Sequence, residues 1–402
     1  MLLLALALLA QSAEFGAEGL KALEAQKYEQ AEQLFAKATE ADAKDYSAWF
    51  HLALAQSLLN KDAEAVAGYR KALELKPGLY EAELNLGIVL LRQKKAAEAA
   101  PFLQSAAQKK PKEFRPSFYA AEALRRSSQF GQAEPYYRAA LEIDPKSPET
   151  EVGLARCLAQ QGNLAEGAPH FRKAVELDPA AQDVLLELAS LYEARKQYPE
   201  AADIYRQFPD NPAARERLGE LLLESGKAAD AIPQLEVAVK SSPTNANRVA
   251  LATAYLRNKQ PERGAALLRE AVQAEPDNLD LRMMYGRALR DQRVLGAAAQ
   301  EFARVAQARP GFKEAWSELA GVLMILEQYP QALAALEKVK ALGGENAAYY
   351  YFRALILDHL KQYQPALESY RQFLAMSQNQ HPDEEFKARQ RVRIIQKELS
   401  KR

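Results

Sequence analysis

The feature that most constrains this chain is its self-similarity. Tyr46 to Pro77 reads YSAWFHLALAQSLLNKDAEAVAGYRKALELKP, two short amphipathic helices, a tight turn and a terminating proline. The pattern returns from units beginning near Ser12, Tyr46, Tyr80, Phe114, Pro148, Gln182, Pro212, Asn245, Leu279, Lys313 and Ala347. Pro77, Pro111, Pro145 and Pro179 recur at a spacing of about thirty-four residues, and Pro243, Pro276 and Pro310 continue the series. A fixed period of this length belongs to helix–turn–helix solenoids, in which each unit buries its apolar face only against its neighbours.

Residue type is held at a few places of each unit. The eighth is small (Gly19, Ala53, Gly87, Ala121, Ala155, Ala189) and so is the twentieth (Ala31, Ala65, Ala99, Ala133, Gly167, Ala201). Small side chains there allow the two helices of a pair to cross closely. The twenty-fourth is large and apolar (Phe35, Tyr69, Leu103, Tyr137, Phe171, Tyr205), a plug for the space between consecutive pairs. Leucines at the seventh and eleventh places complete a stripe at helical spacing. The proline that ends a unit works because it cannot continue a helix.

Two places break the pattern. After Tyr205 comes FPDNP, where Pro209 and Pro212 must end the second helix of the sixth unit early, and this marks the expected boundary between two halves. Gly343-Gly344 replaces the proline of the tenth unit. The tail EEFKARQRVRIIQKELSKR reads as a charged helix with Phe386, Val392, Ile395 and Leu399 on one face, a cap for the last unit. The expected organisation is a signal peptide over 1–13, repeats over 14–211 and 212–380, and a capping helix over 381–402.

The signal-peptide reading rests on the uncharged run Leu2 to Ala10 followed by small residues, too short to span a bilayer. It places the mature chain in the periplasm or outside the cell. The alternative is the apolar end of a cytoplasmic protein, since no lysine or arginine precedes the run.

Charge and chemistry narrow the function. Fifty-three basic residues balance 53 acidic ones, for a formal net charge of zero. That disfavours nucleic acid, whose binding needs a basic excess. The single cysteine, Cys157, excludes an internal disulfide and lies among apolar helical neighbours. His51, His170, His359 and His381 have no metal-ligand spacing, and no phosphate loop or nucleophile elbow occurs. The expectation is no enzyme, no catalytic residues, no metal and no cofactor.

The pattern small–Leu–small–aromatic–Pro, as in WFHLALAQSLL…AVAGYRKALELKP, resembles the tetratricopeptide repeat over roughly residues 12 to 380. The resemblance implies an all-α, right-handed superhelical solenoid of about eleven repeats with a C-terminal capping helix. It also implies a non-catalytic scaffold, of bacterial kind, that binds peptides or proteins on a concave face lined by the first helix of each pair. In that geometry the concave residues are Phe50, Leu54, Leu84, Ile88 and Phe118 as an apolar floor, then Arg92, Arg125, Arg126 and Arg156 beside it. Glu193, Glu220 and Glu224 follow, and then Arg287 and Arg290. Leu84 and Ile88 read equally well as core. The four early arginines repel one another unless partnered, which argues for an acidic ligand. The aromatic run Tyr349 to Phe352 reads chiefly as core, with Tyr350 at the family's large fourth place. The alternatives for function are an accessory subunit of an envelope enzyme or transport complex, and a cytosolic assembly adaptor.

Overall fold

The computed structural model describes the backbone of residues 2–400 and the side chains of residues 10–400. Among the described residues there are twenty-three α-helices, one short 3-10 turn and no strand. They follow one another as antiparallel pairs, such as Tyr46–Leu58 with Asp62–Leu75 and Phe114–Arg126 with Phe130–Ile143. The architecture is the all-α repeat solenoid that the period predicts. The chain divides into two compact units, 1–197 and 198–402.

Local chemistry sets where each helix begins. Several first helices carry a side-chain cap: Asp45 accepts from the Ser47 and Ala48 amides, Asn211 from Ala214, Thr244 from Asn247 and Asn278 from Leu281. Each such cap satisfies amide donors that have no partner inside the helix. The second helices have no such cap. They are entered from a turn whose central residue is left-handed, for example Asn60 (φ 58°), Lys94 (φ 61°) and Ser128 (φ 62°). There the Lys61 amide donates to the Gln56 carbonyl at 2.9 Å and the Asn60 amide to Ser57 at 3.2 Å, the paired bonds of a Schellman ending.

The constant places meet as packing requires. A Cβ built on Gly87 would lie 2.3 Å from Leu103 Cγ, and one on Gly219 would lie 2.5 Å from Leu235 Cγ. The large twenty-fourth residue thus fills the hollow left by the small eighth residue of its own pair. It also reaches the next unit: a Cβ on Gly153 would stand 2.4 Å from the Tyr137 ring. At the twentieth place, a Cβ on Gly167 would sit 2.9 Å from the Ala155 carbonyl, so small residues there bring the two backbones together. Pro101, Pro135, Pro169 and Pro233 stand sixth in their helices, beyond the free donors of the first turn. Each therefore deprives a carbonyl of its partner, and each lies on an exposed side where water can replace it.

In the sixth pair the second helix is only Tyr198–Tyr205, eight residues against thirteen to fifteen in the other pairs, as Pro209 and Pro212 predict. Leu2–Glu24 is one continuous helix that enters the first pair, where the buried Ser12 hydroxyl donates to the Ala38 carbonyl at 3.1 Å. The run Leu2 to Leu9, on which the signal-peptide reading rests, lies outside the described side chains. The terminal helix Pro382–Leu399 covers the last pair with Ala388 and Ile395 fully buried and Val392 and Leu399 beside them. Phe386 is a correction: it is 62% exposed, because the buried stripe runs through 385, 388, 392 and 395 and leaves it a residue off. Arg391 ties this helix down with two hydrogen bonds to buried Asp358, at 2.7 and 2.6 Å.

Candidate functional site: an aromatic groove in the N-terminal unit

The first helices of the second to fifth repeats are Tyr46–Leu58, Tyr80–Arg92, Phe114–Arg126 and Pro148–Gln160. Between them lie two adjoining clefts. The first, of about 460 Å³, is lined by Phe50, Tyr80, Leu84, Asn85, Phe114 and Arg115, with Glu81 and Glu113 beside them. The second, of about 380 Å³, is lined by Phe118, Arg125, Arg126, Val152, Arg156 and Val184 among others. Phe114 and Phe118 stack with centroids 5.4 Å apart and planes at 14°, so one aromatic pair forms the step between the two.

The apolar residues expected to form a floor divide between floor and core. Leu84 is buried at 6% exposure yet still lines the first cleft. Ile88 is packed against the same core, and Phe50 leans on Tyr69 with ring centroids 5.8 Å apart. Leu54 is half-buried. Phe118 is wedged edge-on against Tyr119 and Tyr137. Tyr80, Phe114 and Arg115 line the clefts without having been anticipated. They occupy the first and second places of their units, where the pattern assigns no constant residue type.

The arginines are not free to repel one another. Arg92 holds Asp62 and also donates to the Ser57 carbonyl at 3.1 Å. Arg125 and Arg126 both bond Glu122, at 3.0 and 2.8 Å, and Arg125 Nε meets the Tyr137 hydroxyl at 3.1 Å. Arg156 grips Glu187 of the next repeat with bonds of 2.8 to 3.1 Å. The repulsion argument for an acidic ligand therefore falls away, since each of these cations already has a carboxylate. Burial opposes ionisation of Glu122, but hydrogen bonds from Arg125 and Tyr137 outweigh it and hold the carboxyl below its usual range. Arg125 is accordingly a tie beneath the groove, while Arg126, with 48% of its side chain exposed, stands at its margin.

The later polar positions lie apart from this groove in the sequence. Glu193 is half-buried, Glu220 pairs with Arg217 at 2.5 Å, and Glu224 is exposed. Arg287 and Arg290 converge on Glu318. Burial pushes the Cys157 thiol up to about 12, which suits a small core residue rather than a nucleophile. Among the described residues no group of histidine, cysteine or carboxylate side chains could hold a metal, and no helix is long and apolar enough to cross a membrane.

No curated protein matches the chain. Among solved structures, MamA AMB-1 is 26% identical over 42% of this chain and 99% of that one, with a TM-score of 0.40. MamA from Desulfovibrio magneticus RS-1 is 20% identical over 42% of this chain and 96% of that one, with a TM-score of 0.39. The structure of Naa15/Naa10 bound to HypK-THB is 16% identical over 94% of this chain and 65% of that chain, at 0.48. The tetratricopeptide repeat profile matches residues 17–80, 63–114, 118–181, 152–208, 186–246, 249–311 and 317–381. These matches run through nearly every helix pair described above, and such repeats typically serve as non-catalytic scaffolds that bind protein partners. The chain belongs to the tetratricopeptide repeat family.

Proposed function

We propose that this chain is a non-catalytic scaffold that holds an extended segment of a protein partner in the groove from Phe50 to Val152. The stacked Phe114–Phe118 pair carries the reading, because it gives two adjoining clefts a shared apolar wall. An extended segment places alternate side chains on one side, so two anchors could enter the two clefts while the backbone between them crosses the step. Aromatic walls supply large contact area at small entropic cost, which is why such residues concentrate binding energy. Apolar contact supplies the affinity, since Arg126 is already paired with Glu122 and carboxylates as well as arginines edge the clefts.

The compartment belongs to the same proposal: the Leu2 to Ala10 run directs the chain to the periplasm, where the scaffold serves an assembly at the cell envelope. Mass measurement of the N-terminus of the chain recovered from its native host tests that part; an intact Met1 would place the scaffold in the cytoplasm. Capture of partners by tagged protein tests the groove, with Phe114→Ala as the decisive variant. Phe114 is half-buried at the cleft, so its truncation leaves the repeat core in place. Loss of a discrete partner from the variant supports the groove; equal capture by both forms overturns it.

A further inference from the structure

The chain is neutral as a whole, but its charge is unevenly spread. From Phe386 to Arg402 the sequence FKARQRVRIIQKELSKR holds seven basic residues and one acidic one, Glu398. In the rest of the chain forty-six basic residues face fifty-two acidic ones, a net charge of −6. One sign gathered in a terminal amphipathic helix marks a segment that meets a partner of the other sign. Packing on the last pair accounts for two of the cations. Arg391 bonds buried Asp358 at 2.7 and 2.6 Å, and Arg389 bonds Glu385, itself 2% exposed, at 2.5 Å. These two belong to the cap.

The others face away from the protein. Phe386, Gln390, Arg393 and Lys397 are all exposed and stand four, three and four residues apart, one stripe along the helix Pro382–Leu399. Lys387 and Ile394 are exposed on one flank of that stripe. Lys387, Arg393 and Lys397 have no carboxylate partner among the described residues. Phe386 stands among these cations 62% exposed, and Ile394 46% exposed. The carboxylates Asp383 and Glu384 lie in the first turn, ahead of the stripe. Cations in a last turn complement the helix dipole, but Lys387 is the sixth residue of the helix and gains nothing from it. Solubility explains the charges and not the exposed phenylalanine and isoleucine between them.

We propose that the outward face of Pro382–Leu399 docks the chain on an anionic phospholipid surface. Lys387, Arg393 and Lys397 meet lipid phosphates there, while Phe386 and Ile394 enter the boundary between headgroups and acyl chains. Such a surface supplies both halves of what the face presents, negative charge and an apolar layer just beneath it. A nucleic-acid backbone would match the cations and leave Ile394 in water. A single helix face is convex, and its free cations span ten residues, about 15 Å. Mobile headgroups can gather under each cation, whereas a protein partner would need carboxylates matched to their spacing. The buried side of the same helix stays on the last pair through Ala388, Ile395 and Arg391, so docking requires no unfolding of the cap. The face shares no residue with the Phe50–Val152 groove, and either can fail without the other.

The test is co-sedimentation of the full chain with two kinds of vesicle, phosphatidylcholine alone and phosphatidylcholine mixed with phosphatidylglycerol. The expected result is binding to the mixed vesicles alone, released in about 1 M salt, where the Debye length falls to about 3 Å. The triple variant Lys387→Gln, Arg393→Gln, Lys397→Gln should bind about a hundred-fold more weakly, roughly five-fold for each cation. Phe386→Ser with Ile394→Ser should weaken binding about ten-fold or more at unchanged charge. All five side chains are exposed, so both variants keep the fold, and thermal melts establish that they do. Equal binding to neutral vesicles, or binding that the triple variant retains, would trace the contact to another segment such as Leu2–Ala10 and overturn the proposal. An unchanged affinity in the Phe386/Ile394 variant would overturn it in favour of a purely ionic partner, such as an acidic protein. Absence of binding to either vesicle would overturn it outright.

Discussion

The first helices of the second to fifth repeats and that of the ninth carry different side chains between the same scaffold places. In the former, Phe50, Leu84, Phe118 and Val152 hold the fifth place and line apolar clefts. In the latter the fifth place is still apolar, Met283, but the helix Leu279–Asp291 is laced by ions: Arg282 bonds Glu301 at 2.7 Å, and Arg287 and Arg290 share Glu318. Both stretches keep the small eighth and large twenty-fourth residues, Gly87 with Leu103 and Gly286 with Phe302. The scaffold places carry the fold, and the places between them are free to become a groove or a ladder of charges. Binding is thus a local property of part of the chain, whereas stability is a property of every pair.

The largest effect that would break this comparison is at a scaffold place. Gly87→Val brings new atoms into Leu103, whose Cγ already stands 2.3 Å from where a Cβ would be. We expect a loss of about 3 kcal/mol or more, because a full core can only yield by shifting backbone. At Gly321, a ninth place with open space, Gly321→Ala should instead gain up to about 1 kcal/mol from helix propensity alone. Chemical denaturation measures both. Similar changes at the two glycines would mean that the distinction between scaffold and free places is unsound.

A smaller effect separates the tie beneath the groove from the ions around it. Glu122 accepts charged hydrogen bonds from Arg125 and Arg126 and is almost buried, so Glu122→Gln should cost about 2 kcal/mol at pH 7. The pH dependence has a definite sign. The folded carboxyl lies below its value in the unfolded chain, so its contribution is complete above the unfolded value of ~4.3 and is lost as pH falls through the folded one. The gap between parent and variant should therefore be constant from pH 7 to about 5 and close below that. A gap that widens on acidification would show that Glu122 is held protonated.

Smaller again is the effect on binding. Phe114→Ala should weaken partner capture about ten-fold, the scale of one buried aromatic anchor. Arg290→Ala, in the charged stretch, should leave capture unchanged and cost under about 1 kcal/mol of stability, since its partner Glu318 keeps Arg287. Equal losses of capture from the two variants would extend the site far beyond the aromatic groove.

The repeat architecture was legible because packing demands one residue type at one place, over and over. Gly87, Ala121 and Ala155 can be read from the sequence without knowing what touches them. The pairing of the arginines was not legible. Glu122 is three and four residues from its partners and Glu187 is thirty-one from Arg156, and in a charged helical sequence such carboxylates look like ordinary solvated surface. Phe386 was misplaced for a simpler reason. One residue along a helix turns a side chain by 100°, enough to carry it from the buried stripe to water.

The least legible feature is the turn inside each pair, and it yields the smallest prediction. Lys94, Ser128, Lys196, Lys259, Arg293, Glu327 and Lys361 all stand at the fifteenth place with φ between 57 and 64°. Only Gly162 and Gly226 mark that place with the residue that left-handed backbone favours. Side chains other than glycine and asparagine pay roughly 1–2 kcal/mol there, and the Schellman bonds together with the docking of the second helix hold them in place. Lys94→Gly should relieve most of that strain but loosen the unfolded chain, a net gain of about 0.5 kcal/mol. The reverse change, Gly162→Lys, meets no steric obstacle within 4 Å, so its expected cost of about 1 kcal/mol would be backbone strain alone. Measured by denaturation in one chain, opposite signs at the two places would show that the turn conformation is imposed by the helices it joins. A cost at both would mean that Lys94 earns its place through its side chain.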